Sequence, residues 1–130
     1  MKKLLATTVG AIFATFLLTA CSSSSATKVS PKEFSEVIKD ISIVVLDVRT
    51  PEEFAEGHLQ GAINIDFQSG NFEKEIAALD KSATYAVYCR SGNRSGQAVK
   101  VMSDAGFTKL YDMDGGVVDW VNAGGQLVTN

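Results

Sequence analysis

Segments with the character of β-strands alternate with helix signals along most of this sequence. The strand-like segments are rich in apolar and β-branched residues, and they cover residues 43–46, 62–65, 83–88 and 109–111. The run at residues 43–46 is continuous and apolar, which is typical of a strand that is buried on both faces. The alternation predicts right-handed crossovers and therefore an α/β fold, with a mainly parallel central sheet and helices on both faces.

The helix signals are capping motifs, amphipathic spacing and glycine stops. Ser30 and Thr50 each precede a proline and stand three residues before a glutamate, which is a capping-box pattern. Helices are therefore expected over residues 30–39 and 50–56, and amphipathic spacing extends the expectation to residues 72–79, 95–105 and 117–123. Gly106 and Gly124 are suited to end the last two.

The first twenty residues have the composition of an export signal. Lys2 and Lys3 precede an uncharged and mostly apolar run over residues 4–20, which is short for a membrane-spanning helix. The run ends in Leu-Thr-Ala followed by Cys21, and this ending resembles the lipobox of bacterial lipoproteins. The resemblance implies cleavage before Cys21 and lipidation of its sulfur. The alternative is an ordinary signal peptide, or an uncleaved anchor, with a chance cysteine.

Residues 21–29 are expected to form a tether, because a serine-rich run buries too little apolar surface to fold. The folded domain is then expected over residues 30–130. Ser22 lacks the acidic signal for inner-membrane retention, so in a Gram-negative source the resemblance implies an outer-membrane anchor facing the periplasm. In a Gram-positive source the anchor would lie in the outer leaflet of the cytoplasmic membrane.

The charge balance excludes some classes of partner. Removal of Lys2 and Lys3 with the signal leaves ten basic against fifteen acidic residues, a net charge of about −5. An acidic domain without a basic run is a poor candidate for nucleic-acid binding, and membrane attachment would have to be covalent. With one histidine and one available cysteine no metal site is expected. No cofactor is expected either, and we expect a monomer.

Cys89 is the cysteine left over once Cys21 is lipidated, so it has no partner for an intramolecular disulfide. An unpaired cysteine in an exported protein is a candidate reactive thiol, although a buried cysteine can also serve as a small apolar side chain. Cys89 follows the strand at residues 83–88 directly. Functional residues of parallel sheets gather beyond the carboxyl ends of the strands.

The residues after Cys89 are small, polar or basic: Arg90, Ser91, Gly92, Asn93, Arg94 and Ser95. Such a loop can turn its backbone N–H groups toward one centre, and the helix that follows offers the positive end of its dipole. Two arginines add fixed positive charge. These features favour the thiolate, which is the nucleophilic form of cysteine. The alternative is a turn whose arginines simply face solvent.

The loop Cys-Arg-Ser-Gly-Asn-Arg-Ser at residues 89–95 resembles the active-site loop of rhodanese-like domains. Three more stretches resemble that family in the same order: residues 46–54, residues 57–65, and Gly115-Gly116 followed by Trp120. Together they span roughly residues 30 to 125. Four motifs in the right order and spacing identify the chain as a member of the family.

The resemblance implies a thiosulfate sulfurtransferase. Cys89 would take the outer sulfur of a small anionic donor such as thiosulfate and pass it from a persulfide to a thiol or cyanide acceptor. The loop residues after Cys89 would bind the donor, with Arg94 at the anion and Arg90 at the rim. In the family Asp47 and Arg49 brace the loop, and the position of His58 is structural.

Three other functions remain to be weighed. Dual-specificity phosphatases have a similar loop, but with five residues between cysteine and arginine, whereas Cys89 and Arg94 are separated by four. A non-catalytic binding module would not need the complete cysteine loop. A persulfide or thiol-redox relay protein would use the same Cys89 chemistry, so the sequence leaves this possibility open.

Overall fold

The computed structural model describes residues 26–130, which form one five-stranded sheet and five helices. The strands are β1 (Ala26–Val29), β2 (Val44–Asp47), β3 (Ile63–Asn64), β4 (Tyr85–Tyr88) and β5 (Leu110–Met113). The helices are α1 (Pro31–Val37), α2 (Pro51–Glu56), α3 (Phe72–Ile76), α4 (Asn93–Asp104) and α5 (Gly116–Asn122). The predicted export signal and lipidation site, Cys21, lie outside the described residues. Between residues 26 and 130 no helix is long and apolar enough to cross a membrane.

The sheet confirms the predicted α/β fold class. Its strands run in the order β1-β5-β4-β2-β3, and every neighbouring pair is parallel. Both predicted capping boxes are present, with the hydroxyls of Ser30 and Thr50 accepting from the backbone N–H groups of Glu33 and Glu53. Gly106 and Gly124 adopt positive φ after α4 and α5, as expected for helix stops.

Two apolar layers cover the two faces of the sheet. Alternate residues of a strand point to opposite faces, so Val87 and Cys89 pack in the layer under α3 and α4, while Ala86 and Tyr88 pack in the layer under α1 and α5. All four residues of β4 are buried. The central position of β4 places Cys89 at the middle of the sheet's carboxyl edge.

The domain begins earlier than the sequence analysis indicated. Residues Ala26–Val29, assigned to the flexible tether, form β1 and pair in parallel register with Leu110–Met113. Val29 is buried, whereas Thr27 and Lys28 are exposed. A short edge strand with a single buried side chain leaves almost no apolar pattern in the sequence. This strand is held in place by its pairing with β5.

Candidate active site

The sulfur of Cys89 lies at the base of the loop between β4 and α4. The residue is 1% exposed. The backbone N–H of Gly92 donates a hydrogen bond to Sγ over 3.0 Å, and the hydroxyl oxygen of Ser95 lies 3.4 Å from Sγ. Gly92 has φ +98, a left-handed conformation that allows the chain to turn back over the sulfur. A sulfur that receives an N–H donor at a helix N-terminus is in a setting that favours negative charge.

The first turn of α5 holds the outer side of the loop. The N–H groups of Val117 and Val118 donate to the carbonyl oxygens of Cys89 and Arg90 over 2.9 and 3.0 Å. Because a trans peptide points its N–H opposite to its C=O, these bonds direct the N–H groups of Arg90 and Ser91 away from α5. The Gly115-Gly116 motif was visible in the sequence, but its part in shaping the loop depends on how α5 packs.

Gly116 brings α5 close enough to make these contacts. A Cβ built on Gly116 would lie 2.5 Å from the carbonyl oxygens of Cys89 and Arg90. Gly116 also has φ +58, which disfavours other residues. The close approach of the two backbones therefore depends on a glycine at this position.

Arg94 makes an ion pair across the site with Glu53 of α2. Its two terminal nitrogens donate to the Glu53 carboxylate oxygens over 2.7 and 2.9 Å, and one nitrogen also lies 3.5 Å from the Gln68 side chain. Hydrogen bonds and charge from Arg94 lower the pKa of Glu53 to about 2. The same carboxylate accepts from the backbone N–H of Thr50, so one residue both caps α2 and orients Arg94. From the sequence, only the cap was expected.

Acidification is expected to remove the contribution of this ion pair to stability. Because the folded-state pKa of Glu53 lies below its ordinary value of 4.5, the contribution is present above that value and is lost as the pH falls towards about 2. Urea unfolding should show a larger loss of unfolding free energy over this window for the wild type than for Glu53→Gln. Glu52→Gln, an exposed change on the same helix, should follow the wild type. Equal pH dependence in Glu53→Gln and wild type would contradict the prediction.

Asp47 and Arg49 form a buried ion pair behind the loop. The guanidinium donates to both Asp47 carboxylate oxygens, with a shortest distance of 2.7 Å, and to the carbonyl oxygen of Gly57 over 2.7 Å. The charged group also lies 5.7 Å from the centre of the Tyr88 ring, next to Cys89 in sequence. The pair thus connects the end of β2 with the end of α2 and with the strand that carries Cys89.

An open cleft of about 470 Å³ lies beside the loop. Its lining includes two arginines, two glutamates and an apolar wall from α5: Arg49, Arg90, Glu53, Glu56, Val118 and Val121. Val118 and Val121 are 45% and 50% exposed, so α5 presents apolar side chains to the cleft. The cleft therefore offers both charged and apolar contacts to a molecule that approaches the loop.

The remaining loop residues differ in their surroundings. Arg90 and Ser91 are exposed, and Asn93 is exposed with its side-chain oxygen accepting from Gln97 over 2.6 Å. Ser95 is fully buried in the first turn of α4. The structure therefore brings Gly92 and Ser95 to the sulfur, directs Arg94 to Glu53, and turns the Asn93 side chain along the outside of α4.

His58 is buried, and its side chain contacts Phe54, four residues earlier in the chain. Its Nδ1 lies 2.9 Å from the carbonyl oxygen of Phe54, and its ring stacks on the Phe54 ring at 3.8 Å between centroids. Its backbone exchanges hydrogen bonds with Val128. These contacts give His58 a structural setting, in agreement with what the family resemblance implies for this position.

The protein is a parallel α/β domain that presents a cysteine in a tight loop at a strand end, where a backbone N–H donates to the sulfur. The Rhodanese-like domain family matches residues 30–123 of the sequence. The chain belongs to the rhodanese-like domain family.

Relatives with assigned activities support a rhodanese-type sulfurtransferase in general. The chain is 40% identical over 70 residues to thiosulfate sulfurtransferase PspE of Escherichia coli (strain K12), which covers 54% of this chain and 67% of that protein. It is 33% identical over 93 residues to thiosulfate sulfurtransferase GlpE of Ectopseudomonas mendocina (strain ymp), covering 72% and 83% of the two chains. A crystal structure of a rhodanese-related protein from Thermoplasma volcanium matches with a TM-score of 0.70 at 31% identity, over 79% of this chain and 98% of that one.

Proposed function

We propose that this protein is a thiosulfate sulfurtransferase in which Cys89 carries the transferred sulfur. The observation that carries the proposal is the 3.0 Å hydrogen bond from the Gly92 N–H to Sγ, in a loop whose carbonyls are held outward by α5. Donors that meet a sulfur in this way stabilise negative charge on it, whether as thiolate or as persulfide. The named activity of the relatives supports the same chemistry.

The proposed reaction consists of two sulfur transfers, and atoms and electrons balance in each. The Cys89 thiolate attacks the outer sulfur of thiosulfate, the sulfur–sulfur bond of the donor breaks, and sulfite leaves with the electron pair. Cys89 then carries a persulfide. A thiolate or cyanide attacks the outer persulfide sulfur and releases the Cys89 thiolate, so the acceptor becomes a persulfide or thiocyanate. Covalent catalysis of this kind replaces one difficult transfer by two easier ones.

The charged groups around the loop suit an anionic donor. The N–H groups that α5 directs away from itself, together with Arg94, are suited to bind the sulfonate oxygens and the charge of the leaving sulfite. Arg90 is exposed at the edge of the cleft and can attract the donor from solvent. Glu53 holds Arg94 in place but also neutralises part of its charge, so the donor shares this guanidinium with a carboxylate.

Intact mass spectrometry of the full chain carrying Cys21→Ser tests the proposal, because Cys89 is then its one thiol. Incubation with thiosulfate is expected to add about 32 Da, the mass of one sulfur atom, and cyanide is expected to remove it. The same chain with Cys89→Ser should gain nothing. A folded protein that gains no mass, although its thiol is free, would sink the proposal in favour of a binding module or a relay loaded by a partner protein.

We also propose that the protein is lipid-anchored at Cys21, in the outer membrane facing the periplasm if its source is Gram-negative. The five Cα-to-Cα steps from Cys21 to Ala26 can span at most about 18 Å, so the anchor would hold β1 close to the membrane. Ala26 begins β1, whereas Cys89 follows the carboxyl end of the parallel strand β4. The loop would therefore point away from the lipid. Incorporation of labelled palmitate into the wild type but not into Cys21→Ser is the expected result, and equal labelling would refute the anchor.

A further inference from the structure

The charged side chains around the cysteine loop balance one another. Within the described part of the chain, those that line the cleft beside the loop, or pair with a residue that does, are three arginines and three carboxylates: Arg49, Arg90, Arg94, Asp47, Glu53 and Glu56. Their formal charges cancel. Thiosulfate carries two negative charges and has to approach a thiolate. A dianion therefore gains no net attraction from these side chains.

Glu53 is the carboxylate that neutralises the arginine of the loop. Its two oxygens accept from both terminal nitrogens of Arg94 over 2.7 and 2.9 Å. Water screens this pair only in part, because the side chains of Arg94 and Glu53 are 17% and 23% exposed. Glu53 is ionised at neutral pH, since Arg94 lowers its pKa to about 2. The negative charge of Glu53 is therefore a fixed part of the site.

Arg94 can bind a donor without releasing Glu53. A guanidinium has more N–H groups than the two that Glu53 receives, so others can meet the sulfonyl oxygens of a donor. Glu53 is held from its other side by Thr50, whose hydroxyl donates to Oε1 over 3.2 Å and whose backbone N–H donates to it over 3.4 Å. A bound donor thus shares Arg94 with a carboxylate that stays in place.

We propose that Glu53, by neutralising Arg94, is a specificity-determining residue that favours sulfur donors with one negative charge over donors with two. A second charge on the donor meets the Glu53 carboxylate as well as the Arg94 guanidinium, so it adds little attraction. The favoured class is a thiosulfonate, in which an organic group replaces one oxygen of thiosulfate. The apolar wall of Val118 and Val121 suits such a group. The inference rests on the proposed function, because it takes Cys89 as the sulfur carrier and Arg94 as a donor-binding group.

Methanethiosulfonate is the probe for this class, and its reaction parallels that of thiosulfate. The Cys89 thiolate attacks the outer sulfur, the sulfur–sulfur bond of the donor breaks, and methanesulfinate leaves with the electron pair. Cys89 then carries the same persulfide that thiosulfate would give, and cyanide removes its outer sulfur as thiocyanate. The two donors differ in one oxygen, one methyl group and one charge, but they lead to the same form of the protein.

Comparison of the two donors in Glu53→Gln tests the inference. Glutamine also suits this position of a capping box, so α2 should keep its start. The protein is the full chain with Cys21→Ser, and thiocyanate release at varied donor concentration gives kcat/KM for each donor. In ping-pong kinetics this quantity reports sulfur loading alone. The ratio of kcat/KM for thiosulfate to that for methanethiosulfonate should rise by about tenfold, because only the dianion gains fully from the lost carboxylate.

Glu52→Gln is the matched control. It removes the same charge from an exposed position of the same helix, so water and salt screen its effect, and the ratio should change by less than about twofold. The change in the ratio is the relevant quantity, because the two donors differ in leaving group and hence in intrinsic reactivity. A purely structural role of Glu53 would alter transfer from both donors together and leave the ratio unchanged.

An unchanged ratio in folded Glu53→Gln would overturn the inference, and so would an equal rise in Glu52→Gln. Loading of the wild type by thiosulfate but not by methanethiosulfonate would overturn it as well. In each of these cases the sulfurtransferase itself stands. If neither donor adds the mass of a sulfur atom to the folded wild type, the proposed function fails and the inference fails with it. Urea unfolding of each variant shows whether the kinetic values refer to folded protein.

Discussion

Gly116→Ala is expected to lower sulfur transfer by at least about 100-fold, because displacement of a catalytic loop by about 1 Å can have an effect of this size. The added Cβ would lie 2.5 Å from the carbonyl oxygens of both Cys89 and Arg90. These are the oxygens that accept from Val117 and Val118. Relief of the clash therefore has to move the loop away from α5, which breaks the bonds that orient its N–H groups.

Gly124→Ala is the matched control for this variant. Gly124 lies just beyond the other end of the same helix and also has a positive φ, +91, but a Cβ there would meet nothing within 4 Å. Both variants should lose about 1–2 kcal/mol of unfolding free energy from the left-handed conformation alone. Thiocyanate release from thiosulfate and cyanide measures activity, and urea unfolding measures stability. If the two variants have similar activity, the contact between α5 and the loop does not shape the site.

Asp47→Ala is expected to cause a large loss of stability, about 3–5 kcal/mol of unfolding free energy. The substitution leaves the Arg49 guanidinium, 5% exposed, without the carboxylate that accepts from it and from its backbone N–H. An unneutralised charge in this position is costly because the surroundings cannot solvate it. Since domains of this size are stable by only about 5–15 kcal/mol, a loss of this size could unfold a substantial fraction of the protein.

Glu36→Ala serves as the comparison for an exposed ion pair. The side chains of Glu36 and Lys39 are 63% and 68% exposed, so loss of their pair should cost less than about 1 kcal/mol. Adding Arg49→Met to Asp47→Ala should restore a large part of the lost stability, because it removes the uncompensated charge. Urea unfolding of the three variants measures these differences. A cost for Asp47→Ala no larger than that for Glu36→Ala would show that the buried guanidinium finds another partner or reaches solvent.

Gly116→Ala and Asp47→Ala remove different contacts that support the loop after Cys89. Gly116 acts on the outer side, where α5 holds the carbonyl oxygens, and Asp47 acts behind β4, where Arg49 lies over the Tyr88 ring. The first should reduce activity and should cost more stability than Gly124→Ala, because the clash breaks two backbone hydrogen bonds, whereas the second should reduce stability first. Comparing activity with unfolding free energy therefore shows which variant changes the conformation of the loop and which removes the ion pair behind it.

Local signals in the sequence were sufficient for most of the fold. Apolar-rich segments marked strands β2 to β5, and the patterns around Ser30 and Thr50 marked two helix starts, because a hydroxyl, a proline and a glutamate at these spacings satisfy the first turn of a helix within a few residues. The carboxyl-edge position of Cys89 followed from the same alternation. Each of these features depends on residues that are close together in the chain.

Which distant groups meet around the cysteine loop depends on tertiary packing. Glu53 and Arg94 are 41 positions apart, and only the packing of α2 beside the loop shows that the capping glutamate also binds the arginine. β1 became visible only through its pairing with β5, since three of its four side chains are not buried. The fold class, the cysteine loop and its place at a strand end follow from short-range patterns in the chain. The partners of that loop depend on long-range packing, which local patterns do not encode.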